Sequence, residues 1–289
     1  MFVYSPMRFH CASNASRDGF RGIWLTVLAG LLVLVPQIAL ANIIPPSTPI
    51  AGQTQLDHAH QWWQLMLNIP AVNNPIVDTT GAQAFRGQVG NVLYLAGSFG
   101  PSSNRTITIS PGTTLFFPLV NSFDDNTFYD PDLTAQQLLD NIHPIVAENL
   151  FVELNGVPLG STSELAAHYQ HTDPNNPFTN VVQSPDNLYV DFGIDPTEGT
   201  GIYPALINPF VVSGFWVGLE PLGPGIHTLR FGGTVLFPPY DPEYYRFSQD
   251  NTYRIIVTPE PTTWALFGLG LVGICAGRRV LRRRPAVAG

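Results

Sequence analysis

The stretch "NSFDDNTFYDPD", residues 121–132, crowds Asn121, Asp124, Asp125, Asn126, Asp130 and Asp132 into twelve positions. Calcium takes roughly six to eight hard oxygens from a loop flexible enough to wrap it. Asp124, Asp125, Asn126, Asp130 and Asp132 are therefore candidate calcium ligands. The spacing is not that of an EF-hand, because a central glycine and a closing glutamate are both missing. The same residues have a structural use as well: Asp130 and Asp132 can cap a following helix, while Asp124, Asp125 and Asn126 make a turn.

Other chemistry-bearing residues are sparser. Glu148 and Glu153 are candidates for the acid and base of a glycan hydrolase, a chemistry that depends on the separation of the two carboxylates. His58 and His60 fall two apart in a helical pattern, where they point to different faces and chelate one metal poorly. His168 and His171 are three apart, a chelating spacing if "SELAAHYQHTD" is helical, with Asp173 nearby. Tyr240, Tyr244 and Tyr245 in "PPYDPEYYRF" can stack on sugar rings or plug a loop against the core. The sequence has no Gly-x-Ser-x-Gly elbow and no His-Glu-x-x-His. Without a lysine, a phosphate-cradling loop of the P-loop type is excluded.

These residues must be positioned by the segments around them. "TQLDHAHQWWQLML", residues 54–67, places Leu56, Trp63 and Leu67 at helical spacing, opens on Thr54 and stops at Asn68-Ile69-Pro70; it reads as an amphipathic helix. Beyond it, turn residues separate eight short runs rich in β-branched and aromatic side chains: 91–96, 106–110, 114–120, 150–154, 188–192, 215–219, 227–231 and 253–258. That pattern predicts an all-β fold, an antiparallel β-sandwich or jelly roll. Asn155-Gly156 is the strongest hairpin signal. Residues 130–150 interrupt the strands with a second helical pattern, opened by Asp132 or Thr134 and ended near Pro144.

Both cysteines, Cys11 and Cys275, lie in the terminal segments, so residues 42–258 carry none. That body must fold on its own core, and thiol catalysis is excluded. It holds five arginines against nineteen Asp and Glu, an excess of fourteen negative charges. Such a surface does not suit nucleic acid and does suit calcium or solvation in a charged matrix.

The two ends are of another kind. Arg17 and Arg21 precede the apolar stretch Ile23 to Leu40, and Ala39-Leu40-Ala41 offers small residues where a signal peptidase reads, so cleavage is expected after Ala41, with Met1 or Met7 as the start. Residues 42–52 (NIIPPSTPIAG) read as a linker. At the other end Pro259-Glu260-Pro261 leads into an apolar run of fourteen residues, Trp264 to Gly277, followed by Arg278, Arg279, Arg282, Arg283 and Arg284. As a helix the run would measure roughly 21 Å, short for a permanent span, with its basic end in the cytoplasm.

In the order of these three parts the tail resembles the PEP-CTERM sorting signal of exported proteins in Gram-negative, exopolysaccharide-producing bacteria. The resemblance covers about thirty residues and implies an exosortase-type processing enzyme as partner, with transient anchoring in the membrane. A second resemblance spans roughly residues 60–120: Trp62-Trp63-Gln64, Ile69-Pro70, Asn74-Pro75, Asp78-Thr79-Thr80-Gly81, Gln88-Val89-Gly90, Leu95-Ala96-Gly97, Phe99-Gly100 and Phe116-Phe117-Pro118 are similar, in order, to a group of predicted secreted bacterial proteins of unassigned activity. It implies a shared fold and no mechanism. The expected organisation is a signal peptide (1–41), a linker (42–52), a β-sandwich (53–258) and a sorting segment (259–289). The expected role is non-enzymatic, in the envelope or extracellular matrix, with polysaccharide or calcium as ligand and glycan hydrolysis as the alternative.

Overall fold

The computed structural model describes residues 41–98, 102–125, 133–179, 181–182, 206–236 and 246–259. The chain divides into Met1–Ala39 and Leu40–Gly289, and every described residue belongs to the second unit. Helix α1 (Gln55–Asn68) occupies the segment the apolar spacing predicts, and Thr54 closes a capping box with Asp57 at its start. The strands are β1 (Ile43–Ile44), β2 (Gln88–Val89), β3 (Val92–Tyr94), β4 (Ser103–Ile109), β5 (Thr114–Asp125), β6 (Val146–Leu154), β7 (Val157–Pro158), β8 (Tyr169–His171), β9 (Val181–Val182), β10 (Leu206–Ile207), β11 (Phe210–Leu219), β12 (Gly225–Leu236) and β13 (Arg246–Val257). Of the eight runs expected as strands, 188–192 lies outside the described residues, and the other seven each overlap one of these.

Two sheets dominate the described residues. The first runs β1-β11-β5-β3-β2, with β8 also on β11, and the second runs β4-β13-β12-β6-β7. The expectation of purely antiparallel pairing is corrected at two places, since β3 pairs with β5 and β4 with β13 in parallel. The cause is the path of the chain. After β3 it crosses to the second sheet to make β4 and returns to the first for β5, so β3 and β5 point the same way.

The two sheets share one core, in which the Phe117 and Phe231 rings lie 4.3 Å apart. A second cluster fills the other face of the first sheet, where Trp62, Trp63 and Met66 of α1 meet Phe116, Phe210 and Trp216. Because β11 is covered on both faces it is buried throughout and reads as an apolar run, whereas β4 alternates buried and exposed residues. Burying each of these large side chains stabilises the fold by about 1.5–3 kcal/mol. Pro118, which cannot donate to a ladder, sits at the bulge where the β5–β11 register shifts.

Helix α2 (Ala135–Ile142) begins at Thr134, which forms a capping box with Gln137, and packs Leu138, Leu139 and Ile142 on Val211. Its cap is thus Thr134, one of the two openings the sequence offers. The Asn155-Gly156 turn has φ of 54° and 78° and joins β6 to β7 as the hairpin signal requires. Residues 42–52 are not a free linker: Ile43 and Ile44 add a strand to β11 and Ile50 is buried. Their prolines do exclude a helix, but two isoleucines opposite an apolar strand suffice to dock the segment. Among the described residues no helix is long and apolar enough to cross a membrane; the run Trp264 to Gly277 lies outside them.

Candidate functional site

The chain between α1 and β3 builds one wall of a groove at the open edge of the two sheets. It leaves the helix at Ile69-Pro70, where the buried Asn74 side chain donates to Met66 O (2.6 Å) and Ile69 O (2.9 Å) and accepts from Ile76 N (3.1 Å). Asp78 then organises a tight loop, accepting from Thr80 N (2.8 Å), Thr80 Oγ1 (2.7 Å) and Gln83 N (2.7 Å). Burial pushes this carboxyl up, but the hydrogen bonds from Gln83 and Thr80 and the nearby Arg105 charge outweigh it and hold it below its ordinary range.

Thr106 N donates to Thr80 O at 2.9 Å, pinning the loop to the edge of β4. Gly81 makes that approach possible: its φ is +91° and a Cβ there would stand 2.6 Å from Thr106 O. Behind the loop lies the fully buried Arg105. Its Nε donates to Asp78 O (2.7 Å), Nη1 to Ala96 O (2.9 Å) and Tyr253 Oη (2.9 Å), and Nη2 to Gly97 O (3.0 Å) and Ile76 O (3.2 Å). All five N–H groups of the guanidinium are thereby used, and loop, β3 exit and β13 are tied together without a carboxylate partner.

On this base, the 3₁₀ turn Ala84–Gly87 holds up Phe85, 65 % exposed, with the Arg86 guanidinium 5.2 Å from its ring centre. The β2–β3 hairpin adds Gln88 and Asn91, and across the gap stand Thr106, Thr108 and the turn ending in Thr113. Together they enclose a cavity of about 520 Å³. None of the described residues lining it is ionisable. The groove can therefore exchange hydrogen bonds through amides and hydroxyls and offer an aromatic face.

The residues singled out in the sequence are distributed elsewhere. Asp124 and Asp125 end β5 instead of lying in a loop, and Asp124 accepts from Asn141 of α2 at 2.9 Å. Asn126, Asp130 and Asp132 lie outside the described residues, among which no group of three or more His, Cys, Asp or Glu is placed to hold a metal ion. Glu148 pairs with Arg246 and Glu153 with Arg230. Their partners on β12, Thr234 and Arg230, are four residues apart, on the order of 13 Å along the strand. That exceeds the roughly 5–9.5 Å of glycosidase pairs, and the two glutamates are not brought together.

His58 is buried, bonded to Tyr94 Oη (2.5 Å) and Ile50 O (2.8 Å), while His60 stacks on Phe178 with centroids 3.5 Å apart. The helical spacing expected of His168 and His171 does not form. Helix α3 (Thr162–Ala166) stops short of them, because Tyr169–His171 pair with β11 as β8. His168 is buried, whereas His171 is exposed beside His143. Tyr240, Tyr244 and Tyr245 lie outside the described residues, as do Ala39 and the sorting residues from Glu260 through Arg284. Ala41 is buried in the shared core, and the backbone N–H of Asn42 donates to Glu220 Oε2 at 3.2 Å.

The groove was not found from the sequence. Its signal was nonetheless present: Asn74, Asp78, Thr80, Gly81, Gln88 and Gly97, which belong to the stretch resembling secreted bacterial proteins, build the wall and the carbonyls that hold Arg105.

Comparison with known proteins addresses the tail. No curated protein matches the chain. The solved structure titled "Solution Structure of Amebosin" aligns with 54 % of this chain and 99 % of its own at 11 % identity, with a TM-score of 0.17, too low to bear on the fold. Residues 257–284 match the PEP-CTERM protein-sorting motif. The match begins on Val257, the last residue of β13, so the signal starts at the end of the last described strand. Residues 257–284 are a PEP-CTERM sorting motif, the mark of an exported protein that an exosortase sorts.

Proposed function

We propose that this chain is an envelope or extracellular-matrix protein whose two-sheet sandwich binds polysaccharide without catalysis, in the groove between β4 and residues 81–91. The tail delivers it: the apolar run anchors the body transiently in the membrane until an exosortase-type enzyme removes it near Pro259-Glu260-Pro261, and a signal peptidase cuts after Ala41. The observation that carries the delivery is the sorting motif joined directly to the end of β13. Supporting the ligand is a groove with an exposed ring, two amides and four hydroxyls and, among the described residues, no ionisable lining. A neutral polyhydroxy chain matches those groups, since sugar rings stack on aromatic faces and their hydroxyls exchange hydrogen bonds with amides.

Cleavage after Ala41 would leave the new α-ammonium of Asn42 beside the Glu220 carboxylate, where a backbone N–H already stands at 3.2 Å, and would turn that hydrogen bond into a charge-assisted one. It would also release Ala41 from the core, a small loss for a single methyl.

Affinity electrophoresis through gels containing neutral bacterial polysaccharides tests the ligand. Phe85→Ala with Gln88→Ala should abolish retardation while leaving the melting temperature within about 2 °C, because both side chains are exposed. Equal retardation of the variant would refute the groove as the binding site. Calcium belongs to the same reading as a ligand of the 121–132 stretch; a melting temperature unchanged by millimolar calcium after chelation would remove it.

A further inference from the structure

A cluster of polar rings lies away from the groove, where α2 ends against the edge strand β8. His143 caps the C-terminus of α2 and His171 ends β8, so the two rings come from different elements. Their centroids are 4.4 Å apart with planes tilted by 39°. We propose that His143 and His171 bind one borderline divalent cation of the Zn²⁺, Cu²⁺ or Ni²⁺ class through their Nε2 atoms.

The argument rests on which nitrogens are occupied. His171 Nδ1 lies 3.1 Å from Thr172 O; a carbonyl only accepts, so this nitrogen carries the proton and Nε2 keeps its lone pair. His143 Nδ1 is 2.6 Å from Tyr169 Oη. That phenol also accepts from Ile145 N at 3.3 Å and lies 2.6 Å from Ser213 Oγ. When Tyr169 donates to Ser213, its oxygen accepts the His143 Nδ1 proton, and the Nε2 lone pair of His143 is free as well. Among the described residues neither Nε2 has a hydrogen-bond partner.

An imidazole held at Nδ1 by an oxygen and open at Nε2 is the arrangement by which proteins orient metal-binding histidines. Imidazole nitrogen suits zinc, copper and nickel and not the hard cation calcium. Ser213 is the register partner of His171 across β8 and β11, so the sheet itself fixes the Tyr169–Ser213 contact that sets the tautomer. Asp140, one turn before His143 on α2, lies close enough for its charge to act on the ring and offsets part of the cation's charge. No third His, Cys or carboxylate completes a ligand set among the described residues, so the remaining positions would be filled by water or by a donor from a second molecule. Such a site is open and exchangeable.

Titration of the untagged, chelator-treated full chain in detergent with ZnCl₂ at pH 7.5, followed by calorimetry and by the histidine ring resonances, tests this assignment. One saturable equivalent is expected, with only the His143 and His171 rings shifting. His171→Gln should weaken binding at least about tenfold without changing the metal-free melting temperature, since this side chain is exposed. Tyr169→Phe should weaken it by about tenfold through loss of the outer-shell oxygen alone. Absence of saturable binding to the native chain, or wild-type affinity in His171→Gln, would overturn the proposal. Neither result would affect the groove, which shares no residue with this cluster.

Discussion

Arg105 shows how one residue can organise a loop. A buried cation with no carboxylate hydrogen-bonded to it is ordinarily costly, yet here each N–H finds an oxygen, four of them backbone carbonyls. Replacing it with methionine keeps much of the volume and removes every bond. Arg105→Met should therefore cost about 3–5 kcal/mol in urea denaturation, because several buried carbonyls lose their partner at once.

His60 is the reverse case, a half-buried ring whose buried Nε2 has no hydrogen-bond partner among the described residues. Burial against Phe178 pushes its pKa down to about 4, against a smaller upward pull from Asp57. Between that value and the ordinary value of 6.5 the unfolded chain binds the proton and the folded chain does not. The stability due to neutral His60 is therefore complete above about pH 6.5, declines as the pH falls and is lost near pH 4. Melting curves between pH 7 and 4 should fall less steeply for His60→Phe than for the native protein.

At the scale of elements, the groove depends on how helix α1 enters and leaves. Its entry is fixed by the Thr54–Asp57 capping box, in which Thr54 Oγ1 accepts from Asp57 N at 3.1 Å and the Asp57 carboxylate accepts from Thr54 N at 3.0 Å. Thr54→Ala should destabilise the protein by about 1 kcal/mol, measured by chemical denaturation. The helix also anchors β3, because Trp62 Nε1 donates to Leu95 O at 2.8 Å. Thus Trp62 does more than fill the second core: it holds Leu95 next to Ala96 and Gly97, which offer their carbonyls to Arg105.

For the whole molecule the junction at β13 is the decisive feature. This strand lies inside the second sheet between β12 and β4, and Thr258 N donates to Ile109 O at 3.2 Å just before Pro259. Truncation after Thr258 should leave the melting temperature unchanged while abolishing envelope sorting, whereas truncation after Tyr253 should prevent folding, since it strips Ile255 and Val257 from the core. Circular dichroism and fractionation of the two truncated chains check both halves. A sorting signal that begins at the end of an inner strand can be removed by its processing enzyme without disturbing the cargo.

What the sequence determined by itself is local. Periodicity placed α1, Asp132 or Thr134 marked the start of α2, Asn155-Gly156 marked a hairpin, and the Pro-Glu-Pro, apolar and arginine order marked the tail, because each is a short-range pattern of side chains along the chain. Tertiary structure alone decided the rest. It paired β3 with β5 and β4 with β13 in parallel, drew Ile43 and Ile44 onto β11, parted Glu148 from Glu153 and set His143 beside His171. Those outcomes depend on which distant strands exchange backbone hydrogen bonds, and the backbone carries the same donors and acceptors whatever the side chains.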